Sequence, residues 1–170
     1  MLYRLTVGAV VYKIDVKSGE RLFLAVRKPG WRMDEWSIVQ GGVEHEDDFS
    51  LEMALFRELA QELGVEMQEG VREMILIPEV FTRVFSEETI ERYPYRVGFI
   101  GKKIHYFVVQ FVEGVVIKLG EELEEGVWLS EEKFLASVKY ATELKTVVEF
   151  LKKSVVHNDL ILPVLEHSRT

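Results

Sequence analysis

From residue 2 to residue 12 the chain reads LYRLTVGAVVY, rich in Val, Leu and Tyr, and residues 21–27, RLFLAVR, repeat that character. Both stretches predict strands, and Lys17-Ser18-Gly19-Glu20 between them supplies turn chemistry for a hairpin. Residues 28–35 contain Pro29-Gly30 and predict a loop. A short strand, Trp36-Ser37-Ile38-Val39, then runs into Gly41-Gly42. The period changes near Ser50, and through Leu63 the pattern is helical. Ser50 or Asp48 can cap that helix, Glu52 lies in its first turn, and Gly64 sits where a C-terminal cap is needed. Met53, Phe56, Leu59, Ala60 and Leu63 fall on a side that can face a core.

Strands are predicted again over 71–77, 80–85, 104–112 and 115–119. Residues 86–102 predict a loop, with Glu87-Glu88, Tyr93-Pro94-Tyr95, Gly98 and Gly101. An acidic loop over 121–126 precedes a short strand, Val127-Trp128-Leu129. Ser130-Glu131-Glu132 opens a helix, and a second helical pattern covers about 139–153. The tail, 154–170, mixes an apolar run, Leu160-Ile161-Leu162, with polar ends, and no role is assigned to it. No linker, repeat or low-complexity block divides the chain, so a single domain over 1–153 is expected. The order β-β-β-α-β…β-α predicts an α/β fold with helices packed on a mixed sheet.

Composition narrows this little, but charge and cysteine do. The 170 residues are 48% hydrophobic and 29% charged, an ordinary globular profile. The net charge of -8 argues against non-specific nucleic-acid binding, because a polyanion would be repelled. A small anionic substrate remains open to it if metal ions bridge substrate and protein. The chain has no cysteine, which excludes a disulfide framework, a thiolate metal site and a Cys nucleophile. That fits a reducing, cytoplasmic setting. The first segment alternates and carries Arg4 and Lys13, unlike a signal peptide, and no apolar run approaches membrane-spanning length, so no membrane partner is expected. Monomer and homodimer are both compatible with these observations.

The chemistry concentrates in GGVEHEDDFSLEMALFRELAQELGV, residues 41–65. On a helix of about 100° per residue, Glu58 and Glu62 lie within about 40° of each other, one turn apart, with Gln61 beside them. Arg57 leaves the helix one residue step away, so it is not their obvious partner. A solvated helix face would look the same. The alternative is a hard dication, for which paired carboxylates and bare glycine carbonyls are suitable ligands.

The joint spacing resembles the Nudix box, G-x5-E-x7-R-E-U-x-E-E-x-G-U, where U is an apolar aliphatic residue. Arg57-Glu58-Leu59-Ala60-Gln61-Glu62-Leu63-Gly64-Val65 matches its second half, except that Gln61 stands where the first Glu of the pair belongs. Counted from Gly42, the earlier Glu falls on Asp48, and eight residues rather than seven separate it from Arg57, so the loop carries one extra residue. The likeness extends to Trp36-Ser37-Ile38-Val39-Gln40-Gly41-Gly42-Val43-Glu44 before the box. It extends also to Gly101-Lys102-Lys103-Ile104-His105-Tyr106-Phe107, to Glu122 six residues before Trp128, and to Tyr140-Ala141-Thr142-Glu143-Leu144-Lys145. These later segments are similar to the branch that contains asymmetric dinucleoside tetraphosphate hydrolases and RNA 5'-pyrophosphohydrolases.

The resemblance covers roughly 1–152 and implies the Nudix α/β/α sandwich around a mixed central sheet. It implies hydrolysis of a nucleoside polyphosphate, a dinucleoside tetraphosphate above all, with Mg2+ or with Mn2+ in its place. An RNA 5' end, a nucleoside triphosphate, a nucleotide sugar, or a Nudix-fold binding module with weakened catalysis are the alternatives. By position, Glu58, Glu62, Gln61 and the Gly42 carbonyl would surround the metal, and Arg57 would orient a carboxylate. Glu44, Glu46, Asp47 and Asp48 are on hand to compensate for the neutral Gln61. Glu122 would complete the metal site or take a proton from water, with Glu125 in reserve, although a run of acids is also what a wetted loop looks like. Arg27, Lys28, Lys102 and Lys103 would meet the phosphate chain, and His105, alternating with Lys103, would reach the substrate. Tyr106 or Tyr140 would stack a base, while Trp36 and Trp128 are assigned to packing.

Overall fold

Strand β1, Leu2–Ile14, is the axis of the sheet. One edge of it runs parallel to β5, Phe99–Phe111, with partners from Leu2 to Tyr12. The other edge is shared. Strand β3, Val39–Gly42, pairs antiparallel with Thr6 to Ala9, and β2, Arg21–Arg27, pairs antiparallel with Tyr12 to Ile14. The residues between β2 and β3 are tied back by bridges from Ser37 to Val26 and from Trp36 to Val138. Strand β4, Val71–Val84, is antiparallel to β5, and β6, Glu125–Ser130, is antiparallel to β2. The order is therefore β4-β5-β1-β2-β6, with β3 beside β1. This computed structural model describes residues 2–44, 48–93 and 98–167, and side chains as far as residue 154.

Alternation decides which helix covers which face. Val7, Ala9 and Val11 of β1 and Phe107 and Val109 of β5 meet Leu55, Leu59 and Leu63 of α1, Leu51–Leu63. Val10 and Tyr12 of β1 and Ile104, Tyr106 and Val108 of β5 point the other way. They meet Phe134 of the helix Glu131–Ser137 and Leu144, Val147 and Leu151 of the helix Ala141–His167. Each fully buried Leu or Phe in these layers contributes about 1.5–3 kcal/mol. The result is the expected α/β/α sandwich on a mixed sheet. With the short helices Met67–Gly70 and Glu87–Arg92 counted in chain order, these are α2 and α3, and the two helices on the second face are α4 and α5.

Four expectations change. Residues 71–77 and 80–85 form one strand, whose register slips between Leu76 and Val80 where Pro78 has no amide hydrogen to offer the ladder. Residues 115–119 are not a strand. Val115, Ile117 and Leu119 pack on the first core layer, but the backbone there straps helix α1, Lys118 N–H donating to the Leu63 carbonyl at 2.9 Å and Gly120 N–H to that of Glu62 at 2.9 Å. Within 86–102, Ser86 caps α3 by accepting from Thr89 N–H at 3.2 Å, and β5 begins at Phe99; Pro94 and Tyr95 lie outside the described residues. Helix α5 runs unbroken past residue 153 to His167, and the side chains of Leu160, Ile161 and Leu162 lie outside the description. Trp36 and Trp128 pack on the second and first core layers respectively, as expected.

Candidate active site

The site is built on α1. Ser50 Oγ accepts from Met53 N–H at 3.1 Å, and Gly64, with φ 63°, ends the helix by donating to the Ala60 carbonyl. The buried stripe is Ala54, Leu55, Glu58, Leu59, Glu62 and Leu63. Met53, expected inside, is exposed, and Phe56 and Ala60 are only half-buried. The stripe is thus rotated toward the two carboxylates, and both are removed from water: Glu58 is 6% exposed and Glu62 2%. Strand β3 at Gly41 passes so close to Glu58 that a β-carbon there would collide with its carboxylate.

Helix spacing alone set Arg57 apart from the acids, whereas the resemblance had it orient a carboxylate. Its guanidinium folds back along the helix, Nη1 donating to Glu58 Oε1 at 2.7 Å. Nη2 donates to Asp48 Oδ2 and to the Gly42 carbonyl, both at 2.8 Å. Asp48 in turn accepts from Glu44 N–H at 2.8 Å. The Asp48 carboxylate therefore reaches Arg57 despite the extra residue in the loop. The hydrogen bonds from Arg57 hold Asp48 below its ordinary range, and those from Asp48, joined by the charge of Glu58, raise Arg57.

Glu58 and Glu62 are displaced the other way. Burial pushes Glu58 up against the pull of Arg57. Burial first, and then the charge of Glu58, push Glu62 up to about 8, with Glu122 adding to the repulsion and Lys28 opposing it. Glu62 Oε1 is buried with no hydrogen-bond partner. An orphaned carboxylate oxygen beside a second acid is an arrangement that a hard cation relieves. Glu58, Glu62, Glu122 and the amide of Gln61 are oxygen donors of the right type, and the Gly42 carbonyl keeps one lone pair beyond its bond from Arg57. The residues fit a divalent ion by donor chemistry, although among the described residues no three acidic or imidazole side chains stand as a finished cage. Glu46 and Asp47, read as reserve ligands, lie outside the described residues.

A cleft of about 520 Å³ is lined by Glu58, Gln61, Glu121 and Glu122 and by Arg4, Lys28, Arg92 and Lys102, among others. It continues into a second chamber of about 660 Å³, lined by Arg83, Lys139, Tyr140 and Glu143, among others. Lys28, Trp31, Gln40, Phe85, Arg92, Tyr93 and Lys102 belong to both chambers. Of the expected substrate contacts, Lys28, Lys102 and Tyr140 are therefore at the cleft, and Arg57, Glu58, Gln61 and Glu122 converge on its acidic end.

Four others are not there. Arg27 is 3% exposed and bound to Glu125 outside both chambers, which also occupies Glu125. Lys103 and His105 share the parity of Phe107 and so the face of the sheet opposite Lys102; burial and Lys103 lower the His105 pKa. Tyr106 is 1% exposed and cannot stack a base. Its hydroxyl donates to Glu143 Oε2 and accepts from Arg83 Nη2, each at 2.7 Å, and burial drives its pKa far up. Sequence reasoning missed Arg4, whose signal was a cation at an inward position of an apolar strand. It also missed Arg83, held by Glu143 at 2.7 Å and lying 3.3 Å from the Tyr140 ring centroid. Tyr140 is in the left-handed region, φ 59°, a conformation unusual for a side chain of that size.

Comparison with known proteins agrees with this geometry. A family model for the NUDIX domain matches residues 2–150. An RNA pyrophosphohydrolase of Campylobacter jejuni is 30% identical over 125 residues, 72% of each chain. The dihydroneopterin triphosphate pyrophosphohydrolase of E. coli has the same fold, with TM-score 0.69 at 18% identity over 90% of this chain and 99% of that one. An Ap4A hydrolase of C. elegans gives TM-score 0.65 at 16% identity over 88% and 98%. The family match and the relatives named pyrophosphohydrolase support a hydrolase acting on phosphoric anhydride bonds. With a matching family model across nearly the whole chain, the helix whose Arg57 and Glu58 line a cleft shared with Lys28 and Lys102 places this protein in the Nudix domain family.

Proposed function

We propose that this chain is a metal-dependent pyrophosphohydrolase of nucleoside polyphosphates, with a dinucleoside tetraphosphate as its preferred substrate. The observation that carries the reading is the buried, unpartnered Glu62 Oε1, within reach of the charge of Glu58, which lines a cleft together with Arg4, Lys28, Arg92 and Lys102. Such a site is poor as structure and good as a cation seat. Glu58 and Glu62 would hold Mg2+ or Mn2+, with Gln61 and the Gly42 carbonyl as neutral ligands. A bound dication would neutralise charge on the phosphoryl oxygens and acidify water.

The chain's own groups divide the remaining work. Arg57 holds Glu58 and, through Asp48 and the Gly42 carbonyl, ties the loop before α1 to the helix. Lys28, Lys102, Arg4 and Arg92 orient the phosphate chain along the cleft. Glu122, exposed at the cleft edge, takes the proton of the attacking water. The second chamber, bounded by Tyr140 and Trp31, has room and aromatic surface for a nucleoside. A 5'-triphosphorylated RNA is the second reading, favoured by the 30% identity to proteins named RNA pyrophosphohydrolase. Incubating the chain with diadenosine tetraphosphate and, separately, with a triphosphorylated RNA, each with magnesium or manganese, tests the choice. Mass analysis showing ATP and AMP from the first, faster than pyrophosphate from the second, is the expected outcome; the reverse order selects RNA, and no product from either overturns the enzyme reading.

A further inference from the structure

The cleft's acidic wall is held in place from outside the cleft. We propose that Arg27 is a positioning residue, whose buried guanidinium clamps the segment carrying Glu122 to the segment carrying Lys28 and Trp31. The inference rests on reading Glu122 as the carboxylate that takes the proton of the attacking water.

Arg27 ends β2, and its charge is almost wholly removed from water. Nη1 donates to the Met33 carbonyl at 3.1 Å, which fixes the 28–36 connection. Nη2 donates to the Glu125 carboxylate, and Nε lies 3.6 Å from that of Glu124 without a hydrogen bond of its own. The guanidinium sits 4.8 Å over the Trp36 ring, and the Arg27 carbonyl accepts from Glu124 N–H at 2.8 Å. Glu122 lies two residues before this anchor. Two residues earlier still, Gly120 N–H donates to the Glu62 carbonyl at 2.9 Å, and a β-carbon on Gly120 would collide with the Gln61 carbonyl. Glu122 is thus suspended between α1, which carries Glu58 and Glu62, and Arg27. Leu123, beside it, is buried in the first core layer.

A buried charge is an expensive way to fill space, and an apolar side chain would fill it at lower cost. What the guanidinium adds is direction: it accepts only one placement of Met33 and the Glu124-Glu125 pair at once. Arg27 reaches neither chamber, so a role as phosphate ligand is not available to it in this arrangement.

The test compares Arg27→Lys, Arg27→Met and the combined Glu124→Gln/Glu125→Gln with the parent full-length chain, using diadenosine tetraphosphate and magnesium. The clamp predicts a fall in kcat of about 10- to 100-fold for Arg27→Met at unchanged KM, with Arg27→Lys in between. Adding Glu122→Gln to Arg27→Met should cost little more, because both act on one carboxylate. Without metal or substrate, the amides of Gly120 and Glu124 should exchange faster in Arg27→Met. If Arg27→Met does not fold, Glu124→Gln/Glu125→Gln, changed on the exposed side of the clamp, carries the same predictions. A raised KM with kcat intact, fully multiplicative losses with Glu122→Gln, or unchanged exchange would overturn the proposal. Glu62→Gln separates the two levels. If it abolishes turnover while Arg27→Met leaves kcat untouched, the clamp alone is wrong; if turnover survives it, the functional reading is wrong as well.

Discussion

Arg57 and Glu58 are neighbours in the chain, and their side chains are joined by a 2.7 Å hydrogen bond across the helix surface. The same guanidinium meets Asp48, whose side chain is 3% exposed, so three groups from a helix and the loop before it are locked by one cation. Removing that cation leaves two shielded carboxylates, Asp48 and Glu58, without their shared partner. Arg57→Ala should therefore destabilise the fold by about 3 kcal/mol and cut turnover about 100-fold. Asp48→Asn, which keeps the shape, should do less on both counts. Urea denaturation and initial rates measure the two effects; an Arg57→Ala protein with parental rates would remove Arg57 from the site.

Glu62 gives a pH dependence with a definite sign. Its carboxyl titrates at about 8 in the folded chain against 4.5 ordinarily, because burial and Glu58 oppose ionisation. A raised folded value favours the protonated form, so this contribution to stability is complete below the unfolded value. It drains away as pH rises from about 4.5 toward about 8. Glu58, also raised, adds in the same direction, whereas Asp48, lowered, matters only below its ordinary range. Metal-free protein should lose stability between pH 5 and pH 8, and Glu62→Gln should flatten that slope. Since a cation binds the ionised form, magnesium should raise the melting temperature more at pH 8 than at pH 6. Thermal unfolding in chelator and in magnesium checks both.

Tyr106 and Lys102 separate structure from binding on one strand face. Tyr106 bridges Arg83 and Glu143 in the interior, and Tyr106→Phe should cost about 1–3 kcal/mol with KM unchanged. Lys102 lines both chambers, and Lys102→Ala should raise KM about 10-fold with stability unchanged. Lys103→Ala, on the opposite face, should change neither. A KM effect from Lys103 rather than Lys102 would reverse the assignment of faces.

The periodic parts of the fold were legible. Strand β1, helix α1 with its caps at Ser50 and Gly64, and the turn into β6 follow from local chemistry that acts within a few residues. The resemblance assigned Glu58, Glu62 and Glu122 to one site, and in the structure Glu122 lies near enough for its charge to add to the upward push on the other two. What local pattern does not encode is how one element lies on another. Residues 115–119 have the composition of a strand, but the Lys118 amide hydrogen goes to the Leu63 carbonyl at the end of α1 and that of Val115 to the Val112 carbonyl. Arg27 and Lys28 are adjacent and look alike, yet the end of β2 falls between them, so one is buried in ion pairs and the other lines the cleft. Lys102 and Lys103 differ only by the parity of β5, which is fixed by register against β1 and β4.

Gln61 tests how far the acidic end is tuned. It faces the cleft, exposed, 3.5 Å from Arg57 Nη1, and offers an amide where the box carries a carboxylate. Gln61→Glu should tighten manganese binding about 10-fold and raise turnover at limiting metal, because an anionic ligand replaces a neutral one. Calorimetric titration with manganese measures the first effect. Weaker binding would mean that added repulsion among the acids outweighs the new ligand.

The central claim is that Glu58 and Glu62 together hold the divalent ion that the reaction needs. Its most direct measurement is the magnesium dependence of diadenosine tetraphosphate hydrolysis by Glu62→Gln beside the parent. The account predicts that the substitution preserves the fold, lowers kcat at least about 100-fold and shifts half-saturation to higher magnesium. Parental turnover at parental magnesium concentrations would contradict it.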